Sequence, residues 1–458
     1  MIIKRLKNFR SILLYLGALY AVNVSAQSNF KNKNWKQYTD VAEVGFSANA
    51  LNLLRKKLDS SQTASFLVVF QGHILFSHGE NTRKFMLHSI RKSIMNAMIG
   101  IAIENGTMRL DQTLKALGIN DIGQLSDLER EATLKDLLSA RSGVYHPSAY
   151  ATRGMIKNLP ERGSHDPGTF WYYNNWDFNV LLTIYEQQTG KKFFEAFYEE
   201  IAKPIGMEDF ELSDGYYRLE ADKSMHPAYL FRMSTRDMAR FGQLYLQKGR
   251  WNNQQLIAAD WIEQSTQPVT TDLRDFSVRG GYGFLWWVST INHQKMYNAS
   301  GSGGHKIIVL PESGMVIVHR VNTYENKKVS EDHIHELVSL VLNARTRSEK
   351  INTGPRLYTY TPPAKVFKTS YHQSMDRYLG TYKHKFLGKM TIKKEPAGYV
   401  LENGVGIFKL YPASDSTFIP GDIENLIVME KALETTKRYT IEAKFGSGNP
   451  MSRIIFYY

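Results

Sequence analysis

Ser89-Ile90-Arg91-Lys92-Ser93-Ile94-Met95-Asn96-Ala97-Met98-Ile99-Gly100-Ile101-Ala102-Ile103-Glu104-Asn105-Gly106 is apolar on nearly every side of a helical wheel. A helix with that pattern is buried over most of its surface, and Asn-Gly is a strong stop signal. The stretch therefore predicts a central helix from Ser89 to Asn105, inside a large core. Its first four residues form Ser-x-x-Lys. Residues three apart on a helix share a face, so Lys92 can reach the Ser89 hydroxyl. The positive end of the helix dipole favours an alkoxide there. A lysine surrounded by apolar side chains loses its proton more readily and can serve as a base. The four letters alone decide little. Ser28-Asn29-Phe30-Lys31 matches them in a polar tail, and an N-cap serine followed by a surface lysine would look the same.

On the N-terminal side, Gln27 to about Asp40 is polar and reads as loose. Val44, Phe46, Leu51, Leu54 and Leu58 recur at helical spacing across Ala42 to Leu58. Phe66 to Phe70 and Ile74 to Phe76 then read as two strands joined at Gln71-Gly72. On the C-terminal side, Asp111 to Trp261 is mainly helical, with helices expected at Leu134–Leu138, Phe178–Glu186, Phe193–Ile201 and Asp237–Leu246. Strand patterns return at Tyr282–Val288, Ile307–Leu310 and Met315–Val321, and Glu331–Arg345 reads as an amphipathic helix. Strands at both ends and helices between them predict an α/β (α+β) domain. Its sheet should be antiparallel and flanked by helices, with a helical subdomain inserted.

Two further segments carry chemistry. Pro167-Gly168-Thr169-Phe170-Trp171-Tyr172-Tyr173-Asn174-Asn175 places Tyr-x-Asn between a Pro-Gly turn and a helix. A phenol there can shuttle a proton, and an amide can hold a substrate carbonyl. Ala299-Ser300-Gly301-Ser302-Gly303-Gly304 is built of small residues that let backbone approach a ligand closely. The Ser302 and Ser89 N–H groups can then face one developing oxyanion. Either segment alone also fits an ordinary aromatic loop or a Gly-rich hairpin.

Taken in order, the three motifs resemble the serine β-lactamase and penicillin-binding-protein superfamily, in the Tyr-x-Asn branch of class C β-lactamases and related esterases. Thr133 to Gly143, Met233 to Met238 and Gly281 to Trp287 share the resemblance, which spans about Ala42 to Arg345. It implies Ser89 as nucleophile, Lys92 as general base and Tyr173 as proton relay. Asn175 would hold substrate and lysine, and Ser300, Gly301 and Ser302 would line the oxyanion side. The family's third motif opens with Lys or His, whereas this chain has Ala299. A cation that would help bind a substrate carboxylate is missing, so efficient β-lactam turnover is not expected. His88 beside the nucleophile diverges from it. Of His305 and Lys306, one is expected to face solvent by strand alternation.

The expected activity is hydrolysis of an ester or amide through an acyl-enzyme, on a small-molecule or peptide substrate. Two alternatives stay open: a receptor that is acylated without turnover, and a true β-lactamase or D-peptidase. No metal or other cofactor is expected. H-E-x-x-H, G-x-S-x-G and P-loop patterns are absent, and the chain's lack of cysteine excludes a thiol nucleophile and disulfides.

Lys4, Arg5, Lys7 and Arg10 precede an apolar run, Ile12 to Val24, that ends in Val24-Ser25-Ala26. That is the pattern of a signal peptide over residues 1–26, too short for a comfortable membrane span. A periplasmic or secreted location follows as an expectation. Removing the segment lowers the formal charge of +13 by four. The remaining excess is spread out, so nucleic-acid binding is not inferred. The hydrolase domain is expected over 27–345 and a Pro-containing linker over 346–369. Short strands over 370–458 predict a small all-β domain, a candidate for shaping substrate access or for contact with the cell wall or another surface.

Overall fold

The computed structural model describes residues 34–273, 280–323, 327–346, 354–362, 374–384, 388–396, 398–403, 406–414, 417–420, 426–431, 439–444 and 453–457. The expected signal segment and Ser28–Lys31 lie outside them.

The strands in chain order are β1 (Lys36–Tyr38), β2 (Thr63–Phe70), β3 (His73–Gly79), β4 (Phe85–Met86), β5 (Gly215–Arg218), β6 (Ala228–Met233), β7 (Arg250–Trp251), β8 (Gln254–Gln255), β9 (Gly281–Tyr282), β10 (Trp287–Ile291), β11 (Gln294–Gly301), β12 (His305–Leu310), β13 (Met315–Val321) and β14 (Leu357–Thr359). The helices are α1 (Ala48–Asp59), α2 (Arg91–Glu104), α3 (Asp127–Arg130), α4 (Leu134–Leu138), α5 (Arg153–Lys157), α6 (Asn175–Thr189), α7 (Phe193–Phe197), α8 (Thr235–Leu246), α9 (Ala259–Ser265) and α10 (Glu331–Asn343).

A nine-stranded sheet runs in the order β14-β1-β3-β2-β13-β12-β11-β10-β9. Its pairings are antiparallel except for β1 against β3. The β2–β3 turn is tight because Gln71 and Gly72 both take positive φ, 47° and 81°, the conformation a two-residue hairpin requires.

Side chains alternate between the two faces of the sheet, and each face closes its own core. Leu67, Val69, Ile307, Val309, Val316 and Val318 join α2 and α8 in the larger core. Phe66, Val68, Phe70, Ile308, Leu310 and Ile317 pack with α1 and α10 on the opposite face. Helix α2 is the centrepiece of the first core. Its residues from Arg91 to Gly100 are all buried, and Gly100 lets the Trp261 ring approach to where a Cβ would collide at 2.3 Å.

Four expectations need correction. Gly45, at φ 77°, ends a short 3-10 turn (Val41–Val44), and Ser47 caps Ala50, so α1 starts at Ala48 rather than Ala42. The polar stretch before it contributes β1 to the sheet. Tyr282–Val288 is a hairpin, not one strand. Leu285 is left-handed at φ 61°, and Tyr282 pairs with Trp287. The inserted region is not purely helical, because β6 sits between β4 and β5 in a small sheet of its own.

Beyond β14 lie β15 (Gly380–His384), β16 (Gly388–Glu395), β17 (Gly398–Asn403), β18 (Gly406–Ser414), β19 (Thr417–Pro420), β20 (Leu426–Lys431), β21 (Tyr439–Lys444) and β22 (Arg453–Tyr457). They close into an antiparallel barrel, with Lys383 of β15 beside Tyr457 of β22. Among the described residues no helix is long and apolar enough to cross a membrane.

Candidate active site

The turn that carries Ser89 is held from three sides. β4 pairs with β6, and Leu87 N–H donates to Phe231 O at 2.9 Å. Arg320 of β13 donates to Met233 O at 2.8 Å, Met86 O at 3.2 Å and His305 Nδ1 at 2.8 Å. At Gly301 the end of β11 comes so close that a Cβ would lie 2.6 Å from Leu87 O. The chain bends at His88, φ 50°, passes through a 3-10 turn (His88–Ile90) and enters α2. Ser89 is left half-buried, and the helix behind it is buried from Arg91 to Gly100 before it emerges at Glu104.

Lys92 Nζ lies 2.8 Å from Ser89 Oγ. The amine is also 4.6 Å from the Tyr173 ring centroid and 4.7 Å from that of Phe178. The residue is 2% exposed, and among the described residues no carboxylate pairs with it. Burial, and then the charge of Arg91, hold its pKa well below the usual lysine range. Tyr173 is hydrogen-bonded to Ser89 and buried among Trp171, Phe178, Tyr282 and Trp287. Burial pushes its phenol above the usual range, against the smaller downward pulls of Ser89 and Arg91. At neutral pH it is therefore a neutral phenol.

Its loop is fixed at both ends. Tyr172 N–H donates to Ala140 O at 2.9 Å. Asn174 caps α6 by accepting from Trp176 N–H at 2.8 Å and donates to Val144 O at 2.8 Å. The Thr133–Gly143 segment thus supports the Tyr-x-Asn loop; α4 inside it is capped by Thr133 and Asp136.

A cavity of about 330 Å³ opens onto Ser89. It is lined by His88, Tyr150, Thr152, Met155, Asn175, Arg218, Glu220, Lys223 and Ser302, among others. That size suits a small ligand. Asn175 stands in the wall, but its amide donates to Tyr150 O at 2.5 Å, and its buried Oδ1 has no partner among the described residues. Instead of the lysine, it contacts the backbone of the cavity wall. Ser302 reaches the cavity from the β11–β12 turn. Ser300 does not line it: its hydroxyl lies 2.8 Å from Lys306 Nζ, on the α10 face of the sheet.

The expectation that His305 or Lys306 faces solvent is overturned, since they are 0% and 5% exposed. They do alternate, but both faces of this strand are covered. His305 turns to the α2 side, 5.2 Å from the His88 ring. Lys306 turns to the other side and pairs with Glu331 of α10 at 2.9 Å. Ala299 faces the larger core, so Lys306 supplies no charge where the third motif lacks it. His88 engages Tyr150 Oη at 3.2 Å and Thr323 Oγ1 at 2.9 Å rather than Ser89. Burial and the nearby Arg320 charge hold its pKa down to about 4, so it remains neutral.

Tyr150, Thr152, Arg218, Glu220 and Lys223 were not singled out in the sequence. They sit on loops and a short strand with no motif around them. Glu220 gathers this rim: Arg218 Nε lies 2.9 Å and Lys223 Nζ 2.5 Å from its carboxylate, which also accepts from Tyr150 N–H at 3.2 Å.

This fold and this cluster define a serine-hydrolase class, and the comparisons agree. The β-lactamase family model matches residues 54–340; the chain belongs to that family. An uncharacterized protein of Alkalihalophilus pseudofirmus is 20% identical over 271 residues, which is 53% of this chain and 74% of the relative. A putative β-lactamase of Bacteroides dorei superposes with a TM-score of 0.50 at 17% identity, over 65% of this chain and 99% of that one. The SurE structure with D-Leu superposes at 0.51 and 15% identity, over 88% of this chain and 98% of that one. At these identities the solved structures speak for the fold.

Proposed function

We propose that the chain is an exported serine hydrolase that cleaves an ester or amide through an acyl-enzyme on Ser89. The observation that carries this reading is the 2.8 Å approach of Lys92 to Ser89, made by a buried amine that no carboxylate pairs with among the described residues. Lys92 takes the hydroxyl proton as Ser89 Oγ attacks the carbonyl carbon. The N–H groups of Ser89 and Ser302 face the oxyanion. Tyr173, a neutral phenol bonded to Ser89, donates a proton to the leaving group and is reprotonated from Lys92. In the second half, water gives a proton to the same pair as its oxygen adds to the acyl carbon, the bond to Ser89 Oγ breaks, and that proton returns to Oγ as the acid leaves. Asn175, in the cavity wall, orients the acyl chain.

Export rests on the basic-apolar-small pattern of residues 1–26 and gives the enzyme a periplasmic or secreted setting. The substrate is a small ester, a linear amide or a short peptide. β-Lactams are poor substrates, because Ala299 puts no cation at the third-motif position and Lys306 points away.

The test is a panel of p-nitrophenyl esters, linear amides and D-peptides on the purified chain, beside labelling by a fluorescent phosphonate. Turnover lost in Ser89→Ala supports the assignment. Labelling of Ser89 without turnover of any substrate would make the protein an acylated receptor instead. Full activity in Ser89→Ala defeats both readings.

A further inference from the structure

The first turn of α2 carries two cations in succession, Arg91 and Lys92. The positive end of a helix dipole is the wrong place for either. Burial makes it worse, since a charge removed from water without a partner loses its solvation. Burial draws Lys92 toward its neutral form, whereas an arginine does not deprotonate in proteins. Arg91 is 0% exposed. Its Nη2 donates to Asn179 Oδ1 at 3.0 Å, and its Cζ stands 4.3 Å over the Tyr229 ring. Nε and Nη1 meet no acceptor in hydrogen-bond geometry, and no carboxylate pairs with it among the described residues. A permanent charge is thus kept, uncompensated, one residue from the amine beside Ser89.

We propose that Arg91 is a positioning residue of this centre: its fixed guanidinium supplies, from within the nucleophile's own helix, the second positive charge that β11 lacks at Ala299. The proposal rests on the Ser89–Lys92 reading above. The alternative source, Lys306, lies on the far face of the sheet and is neutralised by Glu331. The rim cations Arg218 and Lys223 are both engaged by Glu220. The field of Arg91 reaches Lys92, Tyr173 and Tyr150, drawing each toward its deprotonated form. Arg91 thereby helps keep Lys92 in the free-amine form that can accept the Ser89 proton.

The sign follows. A general base works when unprotonated, so kcat/KM rises with pH through the Lys92 titration. Removing a neighbouring positive charge moves that limb to higher pH, by about one unit. Arg91→Gln should show this shift in p-nitrophenyl ester hydrolysis while retaining its rate at alkaline pH within about threefold. Asn179→Asp provides an independent route if Arg91→Gln fails to fold. It keeps the arginine but sets a carboxylate against it, and it should shift the limb in the same direction.

A limb that stays in place in whichever of these variants folds, or a loss that is uniform at every pH, means a structural role only and overturns the proposal. Lys92→Ala tests the underlying reading separately. An unchanged limb in that variant removes the base assignment, and the Arg91 proposal with it. Loss of activity in Lys92→Ala combined with an immobile limb in Arg91→Gln and Asn179→Asp overturns the Arg91 proposal alone.

Discussion

Lys92 on α2 and Lys306 on β12 are both buried lysines, turned to opposite faces of the same sheet, and burial lowers the pKa of each. Their surroundings differ. Lys306 has Glu331 at 2.9 Å, which pulls its pKa back up, and Ser300 at 2.8 Å. Lys92 has Ser89 at 2.8 Å, two aromatic rings and a second cation. The amine with an acid partner makes a structural ion pair; the one without is the one proposed as the base. Burial alone does not separate a catalytic lysine from a structural one, and the partner does.

The sharpest way to break the comparison is truncation. Ser89→Ala and Lys92→Ala should each lower ester kcat/KM by about 10³-fold or more, the scale of removing a member of a catalytic unit. Next comes the pH profile of the wild type. Because burial and Arg91 depress Lys92, the acid limb of kcat/KM should lie well below the ordinary lysine value of 10.5. A limb at that value would make Lys92 an ordinary charged lysine.

On the Lys306 side, titration should instead appear as stability. His319, cross-strand from Lys306, is held down to about 4, by burial first, against the Gly304 carbonyl that accepts from its Nδ1. Its folded pKa is below its unfolded value, so the unfolded chain binds the extra proton as pH falls below about 6.5. Denaturant unfolding at pH 5 should show a loss on the order of 2 kcal/mol from this ring relative to pH 7. An equal stability at both values would place the ring in water.

Glu331→Gln leaves Lys306 buried without its acid. Since Glu331 is itself 55% exposed, the cost is about 1 kcal/mol rather than that of a fully buried pair. Smallest of all, Lys306→Ala should change kcat/KM by less than about threefold. A larger loss would move Lys306 into the reaction.

Much of the frame was legible from periodicity, because both faces of the sheet are covered and the apolar runs are long. Leu134–Leu138 and Met315–Val321 coincide end to end with α4 and β13. The errors fall where one residue's backbone breaks a pattern. Gly45 splits an apparent helix, and Leu285 folds an apparent strand back on itself. The facing of Lys306 was misjudged because alternation assigns a side but not what covers it, and α10 covers it.

The order Ser89, Lys92, Tyr173 was readable as motifs, and the fold brings these three together. The rim was not. Tyr150, Arg218 and Glu220 are adjacent only through tertiary structure, and loop residues carry no period. Arg91 was in plain sight inside the first motif, yet nothing in its spacing marks it. Only its burial does.

The stretch 346–369 read as a spacer, but part of it is structural. β14 pairs with β1 along Lys36–Tyr38. Tyr360 follows it into the core, 7% exposed, donating its N–H to Trp35 O at 2.8 Å and accepting from Asn81 Nδ2 at 3.1 Å. Asn81 in turn accepts from Ser65 of β2 at 2.7 Å. An expression fragment cut at residue 345 would bare the rim of the sheet and leave a hole where that phenol sits. A boundary at residue 345 therefore cuts through the hydrolase sheet, and the residues up to Tyr360 belong with it.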